Sequence, residues 1–366
     1  MGLKFVILCN LPLIMENPNN RSHIIFTDTL REDIRSLIKP YPSGKVYLST
    51  ETTVESLWLK DDPFWQNFPG VVIPAGEENK KLQAVEKIWE FLSRSGADRK
   101  SLLINIGGGM LTDLSGFAAS TFKRGMGFIN VPTTLLAQVD ASVGGKTGFN
   151  FNGLKNEIGT FREPDAVLID TQFLRTLDNA NFRSGYAEMI KHGLIFSPEH
   201  LEELIAFDTD HLDYARLQEM VQHSVEVKKH FVEHDPFEKN IRKALNFGHT
   251  AGHAIESLAM ERGKPVLHGY AVAWGMLAEL TLSVQTCGFP AEEAWRISSW
   301  IRDFYGDLPL TPDDFPVLWE YMHHDKKNEN NLVNFTLLSG TGKYEINRTC
   351  SRELVMEALK LINVIT

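Results

Sequence analysis

The feature that most limits the fold is a change of hydrophobic pattern near residue 176. Before it, short apolar runs bounded by glycine, proline or polar clusters alternate with segments of helical spacing. Such runs predict buried strands, and strand–helix alternation predicts a parallel sheet of the dinucleotide-binding kind. The predicted strands are residues 24–27, 46–48, 71–73, 102–106, 128–131 and 167–169, and the helical segments among them are 80–94 and 111–122.

Beyond residue 176 long amphipathic segments predict helices at 184–195, 200–207, 217–232, 249–259, 270–286, 292–304 and 352–362. A hairpin is predicted at 333–338 and 343–346, around Ser339-Gly-Thr-Gly. Because 366 residues exceed what one hydrophobic core usually supports, two domains are expected. We predict an α/β N-terminal dinucleotide-binding domain at 1–175 and a mainly α-helical C-terminal metal-binding domain at 176–366.

Composition excludes several classes of protein. Lys and Arg total 37 against 47 Asp and Glu, a net charge of −10, so nucleic acid is not an expected partner. No run approaches the roughly 18 apolar residues of a membrane helix, and the N-terminus has no signal-peptide pattern. Cys9, Cys287 and Cys350 lie far apart, which fits a reducing compartment, so a cytoplasmic protein is predicted.

Three glycines, Gly107-Gly108-Gly109, follow a predicted strand and open a helix. This arrangement lets backbone approach a phosphate at a helix N-terminus, although a tight strand–helix turn could also require it. Thr133 and Thr134 follow the next strand, where their hydroxyls can meet a ligand in the sheet crevice or cap a helix.

A second glycine motif, Gly144-Gly145-Lys146, lies between Asp140 and the pair Lys155-Asn156. It is not a P-loop, because the spacing would place Asp140 at the first glycine position. Two lysines among glycines favour an anion site over the alternative of a solvated loop.

Histidine is concentrated in the second half: His23 stands alone in the first, and the other eleven lie from His192 to His324. A helix carrying His249 and His253 places both on one face, as in metal-binding pairs, and His268 opens the next helix. Glu188 and Lys191 lie one helical turn apart among apolar neighbours, which favours burial and a partner or metal over a surface ion pair.

Glu188, His249, His253 and His268 are therefore four candidates for a site that needs three protein ligands, and spacing leaves open which histidine stays free. Alternatively, each histidine could be a core or capping residue, but that explanation is a poor one for all of them together. Seven others are interpreted as surface histidines: His200, His211, His223, His230, His234, His323 and His324.

These motifs together resemble the 3-dehydroquinate synthase family, within the sugar-phosphate cyclases. The matching segments cover about residues 70–345 and include 74–80 (PAGEENK), 107–125 (GGGMLTDLSGFAASTFKRG), 131–161, 184–195 (SGYAEMIKHGLI) and 242–257 (RKALNFGHTAGHAIES). The resemblance implies an N-terminal α/β domain that binds NAD, a C-terminal helical domain that binds zinc or cobalt, and a site in the cleft.

Carried over position by position, the resemblance implies three groups of residues. The metal ligands would be Glu188, His249 and His268, with His253 left for catalysis. The NAD contacts would be Glu77, Lys80, Gly108, Gly109, Asp113, Thr133, Thr134, Lys155 and Thr176. The substrate contacts would be Asp140, Lys146, Asn156, Lys191, Lys228, Arg242, Asn246 and one of Lys326 or Lys327, and Arg124 would reach the partner's site in a homodimer.

Two positions differ from many members of the family. This chain reads His268-Gly-Tyr270 where many members read His-Gly-Glu. We expect this substitution to change the surroundings of the metal ligands without loss of zinc. Ser49-Thr50-Glu51 replaces an aspartate expected at the cofactor ribose, where Glu51 is the candidate substitute.

The implied substrate is 3-deoxy-D-arabino-heptulosonate 7-phosphate, whose carboxylate and phosphate need several cations. The implied reaction is a transient oxidation by NAD, elimination of phosphate, return of the hydride and intramolecular aldol closure to 3-dehydroquinate. The alternatives are another sugar-phosphate cyclase, an NAD- and metal-dependent polyol dehydrogenase, and an inactive NAD-binding scaffold protein. Lys228, Arg242, Asn246 and His253 keep the family pattern, which argues against another cyclase. A polyol dehydrogenase would not need the anion cluster at 142–146 and Lys155-Asn156, and the full set of metal and cation positions argues against an inactive scaffold.

Overall fold

The computed structural model describes residues 23–152, 154–308, 310–323 and 333–364. Its strands are β1 (His23–Phe26), β2 (Val46–Glu51), β3 (Gly70–Ile73), β4 (Leu102–Gly107), β5 (Gly127–Pro132), β6 (Lys146–Phe151), β7 (Leu154–Phe161), β8 (Ala166–Ile169), β9 (Val333–Gly340) and β10 (Lys343–Cys350). Its α-helices are α1 (Leu30–Ile38), α2 (Thr52–Val54), α3 (Leu82–Arg94), α4 (Gly109–Thr121), α5 (Asn179–Phe196), α6 (Pro198–Ala206), α7 (Tyr214–His234), α8 (His249–Glu261), α9 (His268–Cys287), α10 (Ala291–Tyr305), α11 (Phe315–His323) and α12 (Arg352–Val364).

Six strands form one parallel sheet in the order β1-β8-β5-β4-β2-β3, which confirms the six predicted strands. Leu103 packs with α3 and α4 on one face, whereas Leu102 and Ile104 pack with α1 on the other. Burial on both faces explains why these strands are continuously apolar. The chain runs outward from β2 to β3 and returns past β2 to β4, so the topological switch lies at the carboxyl ends of β2 and β4.

The second half is mainly helical, as predicted, and its apolar core is continuous with residues of β8 and of the segment after β5. The predicted β9–β10 hairpin is confirmed. Helices α1, α2 and α11 were not predicted. Pro316 lies in the first turn of α11, where a missing N–H removes no helical hydrogen bond.

A second antiparallel hairpin, β6–β7, was not predicted either. The sequence pattern there indicated only a glycine-rich turn before Lys146, because β7 is largely exposed on both sides and has no apolar alternation to recognise. The hairpin carries Lys146, Lys155 and Asn156, so three predicted site residues lie on strands and not on a loop.

The interpretation of His200 as a surface residue is wrong. His200 is buried where α6 packs on α7, and its Nε2 lies 2.8 Å from the Ser224 hydroxyl. His211, His223 and His234 are exposed as predicted, whereas His230 and His323 are partly buried. His324 lies outside the described residues. Within the described part of the chain, no helix combines the length and apolarity that crossing a membrane requires.

Helices α5, α8 and α9 cross at unusually short range because glycines lie at the contacts. A β-carbon on Gly269 would lie 1.8 Å from the carbonyl oxygen of Ser184, and one on Gly275 would lie 2.0 Å from that of Gly248. Both separations are far below van der Waals contact, so only glycine fits. These crossings place the first residues of α8 and α9 against the middle of α5.

We expect Gly269→Ala to destabilise the helical half by about 2–3 kcal/mol, because the added methyl must push α9 away from α5. Thermal unfolding followed by circular dichroism measures this. Gly340→Ala is the control, since its β-carbon would meet only the Lys343 side chain, at 3.6 Å. Equal unfolding midpoints for Gly269→Ala and the unsubstituted chain would contradict the packing account.

Candidate active site

A carboxylate and three imidazoles meet where α5, α8 and α9 cross. Glu188 is fully buried, and its Oε1 lies 3.6 Å from His249 Nε2 and 3.5 Å from His268 Nε2. The His253 ring centroid lies 5.2 Å from that of His249 and 5.8 Å from that of His268. One ring nitrogen from each of these three histidines lies within 4.8 Å of the other two.

The start of α8 is held by a carboxylate from α9. Buried Glu279 accepts the backbone N–H of Gly248 at 2.6 Å and that of Ala251 at 3.2 Å. These are N–H groups that a helix leaves without internal partners, and a negative charge there is also favoured by the helix dipole. Gly248 has φ +79°, a left-handed conformation that favours glycine, and it turns the chain into His249.

The electrostatics of this cluster favour a bound cation. Burial alone would raise the pKa of Glu188, but Lys191, His249 and His268 hold it well below its usual value. Burial lowers the pKa of His249, with Lys191 adding to the effect. Burial would also lower the pKa of His268, yet the carboxylates of Glu188 and Glu256 raise it to about 10. With two carboxylates around it, His268 attracts either a proton or a metal ion.

The donors fit a tetrahedral metal site. With bonds of about 2.1 Å, two ligand atoms of such a site lie about 3.4 Å apart, close to the separations of the Glu188 oxygen from the two imidazole nitrogens. On the outer side of the cluster, His268 Nδ1 lies 3.5 Å from Glu256 Oε2. Glu256 also accepts a 2.6 Å bond from Lys155, which joins hairpin β6–β7 to α8. A carboxylate behind a ligating histidine is the usual means of fixing its ring.

A second ion pair, between a buried lysine and a partly buried aspartate, adjoins the first. Lys228 of α7 donates to the Asp140 carboxylate and to the Asp140 carbonyl, both at 2.5 Å. Burial would raise the pKa of Asp140, but Lys228 holds it below its usual value, and burial lowers the pKa of Lys228. Ligand atoms of Asp140, Glu188 and His192 lie within 4.8 Å of one another. Burial and the charge of Lys191 lower the pKa of His192 to about 3.

Further cationic and amide donors converge beside these pairs. Glu238 contacts Lys146 through one carboxylate oxygen, and through the other it accepts a 2.8 Å bond from Asn246 Nδ2. Arg242 is buried and donates to the carbonyls of Pro236 (2.7 Å) and Gly144 (3.3 Å). A β-carbon on Gly144 would lie 2.6 Å from the Arg242 guanidinium, so the glycine turn makes room for it.

The carboxyl ends of β4 and β5 lie where the sequence predicts a nucleotide site. Thr133 N–H donates to Gly107 O at 3.0 Å, and β-carbons on Gly108 and Gly109 would lie 3.0 Å from Thr134 and Ala141. Thr134 also accepts the N–H of Ala137 at 3.2 Å. The hydroxyl at this strand end therefore acts as a cap, one of the two readings open from sequence.

A buried lysine ties this crevice to the hairpin. Lys80 Nζ lies 2.7 Å from Asp113 Oδ2 and donates to Asn156 Oδ1 at 2.6 Å. Glu77, one turn earlier, accepts a 2.9 Å bond from Asn150. Predicted cofactor contacts and a predicted substrate contact therefore share one network, which connects the sheet edge with β6–β7.

Some predicted residues lie outside these networks. Thr176 accepts a 2.8 Å bond from Trp58 and donates to Phe173 O. Exposed Arg124 follows the last turn of α4, about 20 Å along that helix from Gly109. Lys326 and Lys327 fall outside the described residues.

The two positions that differ from the family pattern have local roles. Glu51 ends β2 and accepts the N–H groups of Thr53 (2.9 Å) and Val54 (3.1 Å), so its carboxylate caps α2. The Tyr270 ring packs against Trp274 and Tyr305, at centroid distances of 6.0 and 5.3 Å.

Sequence reasoning missed four acidic or histidine residues at the site: Glu238, Glu256, Glu279 and His192. Glu256 could have been found, because it lies seven residues after His249 and so on the same helix face. His192 likewise follows Glu188 by four residues. Glu238 and Glu279 gave no local signal, since their partners come from other elements.

Two family profiles match adjoining segments of the chain. The profile described as 3-dehydroquinate synthase N-terminal matches residues 70–184, and that described as 3-dehydroquinate synthase C-terminal matches residues 185–328. These spans contain the carboxyl ends of β4 and β5, hairpin β6–β7 and the Glu188 cluster.

Curated relatives agree with the profiles. A 3-dehydroquinate synthase of Parabacteroides distasonis is 48% identical over 92% of this chain and 96% of its own length. That of Clostridium tetani is 34% identical over 94% of each chain.

Solved structures share the fold. A 2-deoxy-scyllo-inosose synthase complexed with carbaglucose-6-phosphate, NAD⁺ and Co²⁺ superposes with a TM-score of 0.78 at 25% identity, over 92% of this chain and 96% of that one. The 2-epi-5-epi-valiolone synthase of Streptomyces hygroscopicus subsp. jinggangensis 5008, with NAD⁺ and Zn²⁺ bound, gives 0.82 at 23% identity, over 98% and 100%. With both profiles matched in order and near-full-length relatives at up to 48% identity among those described, the chain belongs to the 3-dehydroquinate synthase family.

Proposed function

We propose that this chain converts 3-deoxy-D-arabino-heptulosonate 7-phosphate to 3-dehydroquinate and inorganic phosphate, a step of the shikimate pathway. The observation that carries the proposal is the packing of a histidine–carboxylate metal cluster against lysine and arginine side chains suited to an anionic sugar. The reaction has no net oxidation: phosphate leaves, a carbon–carbon bond closes the ring, and the hydride that is removed is returned.

The metal ligands in this proposal are Glu188, His249 and His268, with zinc as the ion and cobalt as the alternative. The separations of 3.5 and 3.6 Å from the carboxylate oxygen to the imidazole nitrogens support this set. When bound, a metal supplies Lewis-acid polarisation of substrate hydroxyls, and NAD supplies a hydride acceptor that is regenerated. His253 is not a metal ligand in this set, and its exposed ring can take a proton from a substrate hydroxyl.

Anion recognition is assigned to the donors beside this cluster. Lys146 and Asn246 already converge on one carboxylate, that of Glu238, so the same donors can hold a carboxylate or phosphate of the substrate. Lys228 and Arg242 add buried positive charge, and Asp140 orients Lys228. Lys191 balances Glu188 within the cluster, and Asn156 positions Lys80.

NAD is assigned to the crevice at the β2–β4 switch point, where dinucleotides bind in open parallel sheets. The close approach of Gly108 and Gly109 to the segment after β5 supports a backbone surface open to phosphate, at the N-terminus of α4. The remaining proposed contacts are Glu77, Lys80, Asp113, Thr133, Thr134, Lys155 and Thr176.

A homodimer is proposed because Arg124 is exposed and an exposed apolar surface could pack against a second copy of the chain. Phe161 and Phe237 are 59% and 66% exposed, and their rings contact each other at 6.0 Å. Phe151 and Leu154, on the same hairpin, are also exposed. Arg124 lies too far along α4 to serve the crevice that α4 opens, which supports a role in the partner's site.

We also propose a domain division near residue 175, since the last strand of the sheet ends at Ile169 and α5 begins at Asn179. Cys287 and Cys350 are free thiols, which supports the proposed cytoplasmic location.

The proposed reaction predicts many turnovers for each NAD. Purified protein supplied with the heptulosonate phosphate, zinc and substoichiometric NAD⁺ should release phosphate and form 3-dehydroquinate, detected by mass spectrometry, and a chelator should stop both. A different cyclic product would identify another sugar-phosphate cyclase. Stoichiometric accumulation of NADH without phosphate release would identify a polyol dehydrogenase.

Replacing Glu188 tests the metal ligands. We expect Glu188→Gln to lose one equivalent of metal per chain, because the neutral amide removes the charge that faces both imidazoles, and to reduce stability, because Lys191 is left buried without its partner. Metal content after dialysis measures the first effect. His249→Ala should lose the same equivalent, whereas Glu202→Gln, at an exposed ion pair with Arg296, should keep it. Unchanged metal content in both site variants would show the ligand set to be wrong.

Replacing Arg124 tests whether each active site includes a residue of the partner subunit. Arg124→Ala and Glu188→Gln should each abolish activity, yet co-expression of the two chains should restore about a quarter of it, because half the dimers are mixed and each then has one complete site. The activity of the unfractionated mixture measures this, and mixed dimers isolated through separate tags on the two chains should have about half of the unsubstituted activity.

Lys123→Ala, at the exposed neighbouring position, is the control and should retain activity as a homodimer. Full activity of Arg124→Ala alone, or no recovery in mixed dimers, would contradict a contribution across the interface.

A further inference from the structure

A second cluster of metal-ligating side chains lies between α6 and α7. His200 and Glu203, one helical turn apart on α6, face His223 of α7. The three residues line a surface groove of about 650 Å³ that contains none of the residues assigned to the active site. One ligand atom of each lies within 4.8 Å of the other two.

The separations match a metal site better than direct hydrogen bonds. Glu203 Oε2 lies 3.4 Å from His200 Nδ1 and 3.5 Å from His223 Nδ1. A good N–H···O bond is 2.7–3.2 Å, whereas ligand atoms of a tetrahedral zinc site lie about 3.4 Å apart. The cluster around Glu188 shows the same spacing, 3.5 and 3.6 Å.

Neighbouring groups orient the ligand atoms of His200 and Glu203. The Ser224 hydroxyl lies 2.8 Å from His200 Nε2, which directs Nδ1 of that ring toward Glu203. Arg216 contacts the other carboxylate oxygen of Glu203 and also donates to Glu219 at 3.0 Å. The two carboxylate oxygens of Glu203 therefore have different partners: Oε1 contacts a guanidinium, and Oε2 faces two imidazoles. Such outer partners are typical of ligating histidines and carboxylates.

The site is also accessible from solvent and has a ligand set that suits a transition metal. The side chain of His223 is 53% exposed, which leaves a path for an ion from solvent and room for a water ligand. Two imidazoles and one carboxylate are ligands that zinc and its neighbours in the first transition series prefer.

We propose that His200, Glu203 and His223 bind a second divalent transition-metal ion, zinc by preference, with water completing the coordination. The ion fastens α6 to α7, the helix that carries Lys228. The site does not depend on the proposed reaction, since it shares no residue with the cluster around Glu188.

The test is metal stoichiometry of the whole chain. Protein stripped with a chelator and dialysed against excess Zn²⁺ should hold two equivalents per chain, measured by plasma mass spectrometry, and His223→Ala should hold one. His223→Gln, which keeps a polar side chain at this half-exposed position, should behave in the same way. His211→Ala removes an exposed histidine that contacts Asp208, and it should still hold two.

Combining His223→Ala with Glu188→Gln separates the two sites. The double variant should hold no tightly bound zinc, and each single variant should hold one equivalent. One equivalent in the unsubstituted chain, or the same content in His223→Ala as in that chain, would overturn the second site whatever the outcome of the activity assay.

Discussion

The buried carboxylate of Glu188 is the constraint on which the rest of the site depends. A carboxylate without solvent contact must be surrounded by positive charge or bound metal, because desolvation of a lone ion is too costly. Lys191 supplies one partner from the same helix, and His249 and His268 supply two more from the ends of other helices. The helical half is arranged so that three separate segments reach this one group.

That arrangement explains features which otherwise look unrelated. Gly269 and Gly275 let α9 approach α5 and α8 more closely than any side chain would permit. Glu279 uses a second buried charge to hold the start of α8, and with it His249. Glu256 and Lys155 connect the same cluster to the hairpin beside the nucleotide crevice. The crevice beside Lys80 and the cluster around Glu188 are therefore connected through a chain of polar and ionic contacts, which suits the proposed reaction because that reaction uses both NAD and a metal.

The sequence predicts those elements whose residues form a local pattern of apolar and polar positions. The six parallel strands followed from apolar runs, and burial of the Glu188–Lys191 pair followed from its apolar neighbours. Hairpin β6–β7 was missed because its exposed strands lack alternation. Glu238 was missed because its role depends on a tertiary contact with Lys146, and His200 was misjudged because its partner Ser224 lies on another helix. The choice among His249, His253 and His268 came from family resemblance and not from spacing.

That choice is the central claim, and anomalous diffraction at the zinc edge from crystals of the zinc-loaded protein tests it most directly. The account predicts an anomalous peak within about 2.2 Å of a Glu188 oxygen and of one ring nitrogen each from His249 and His268. His253 should lie beyond bonding distance from that peak. A peak bonded to all three imidazoles, with Glu188 still paired only to Lys191, would contradict the account.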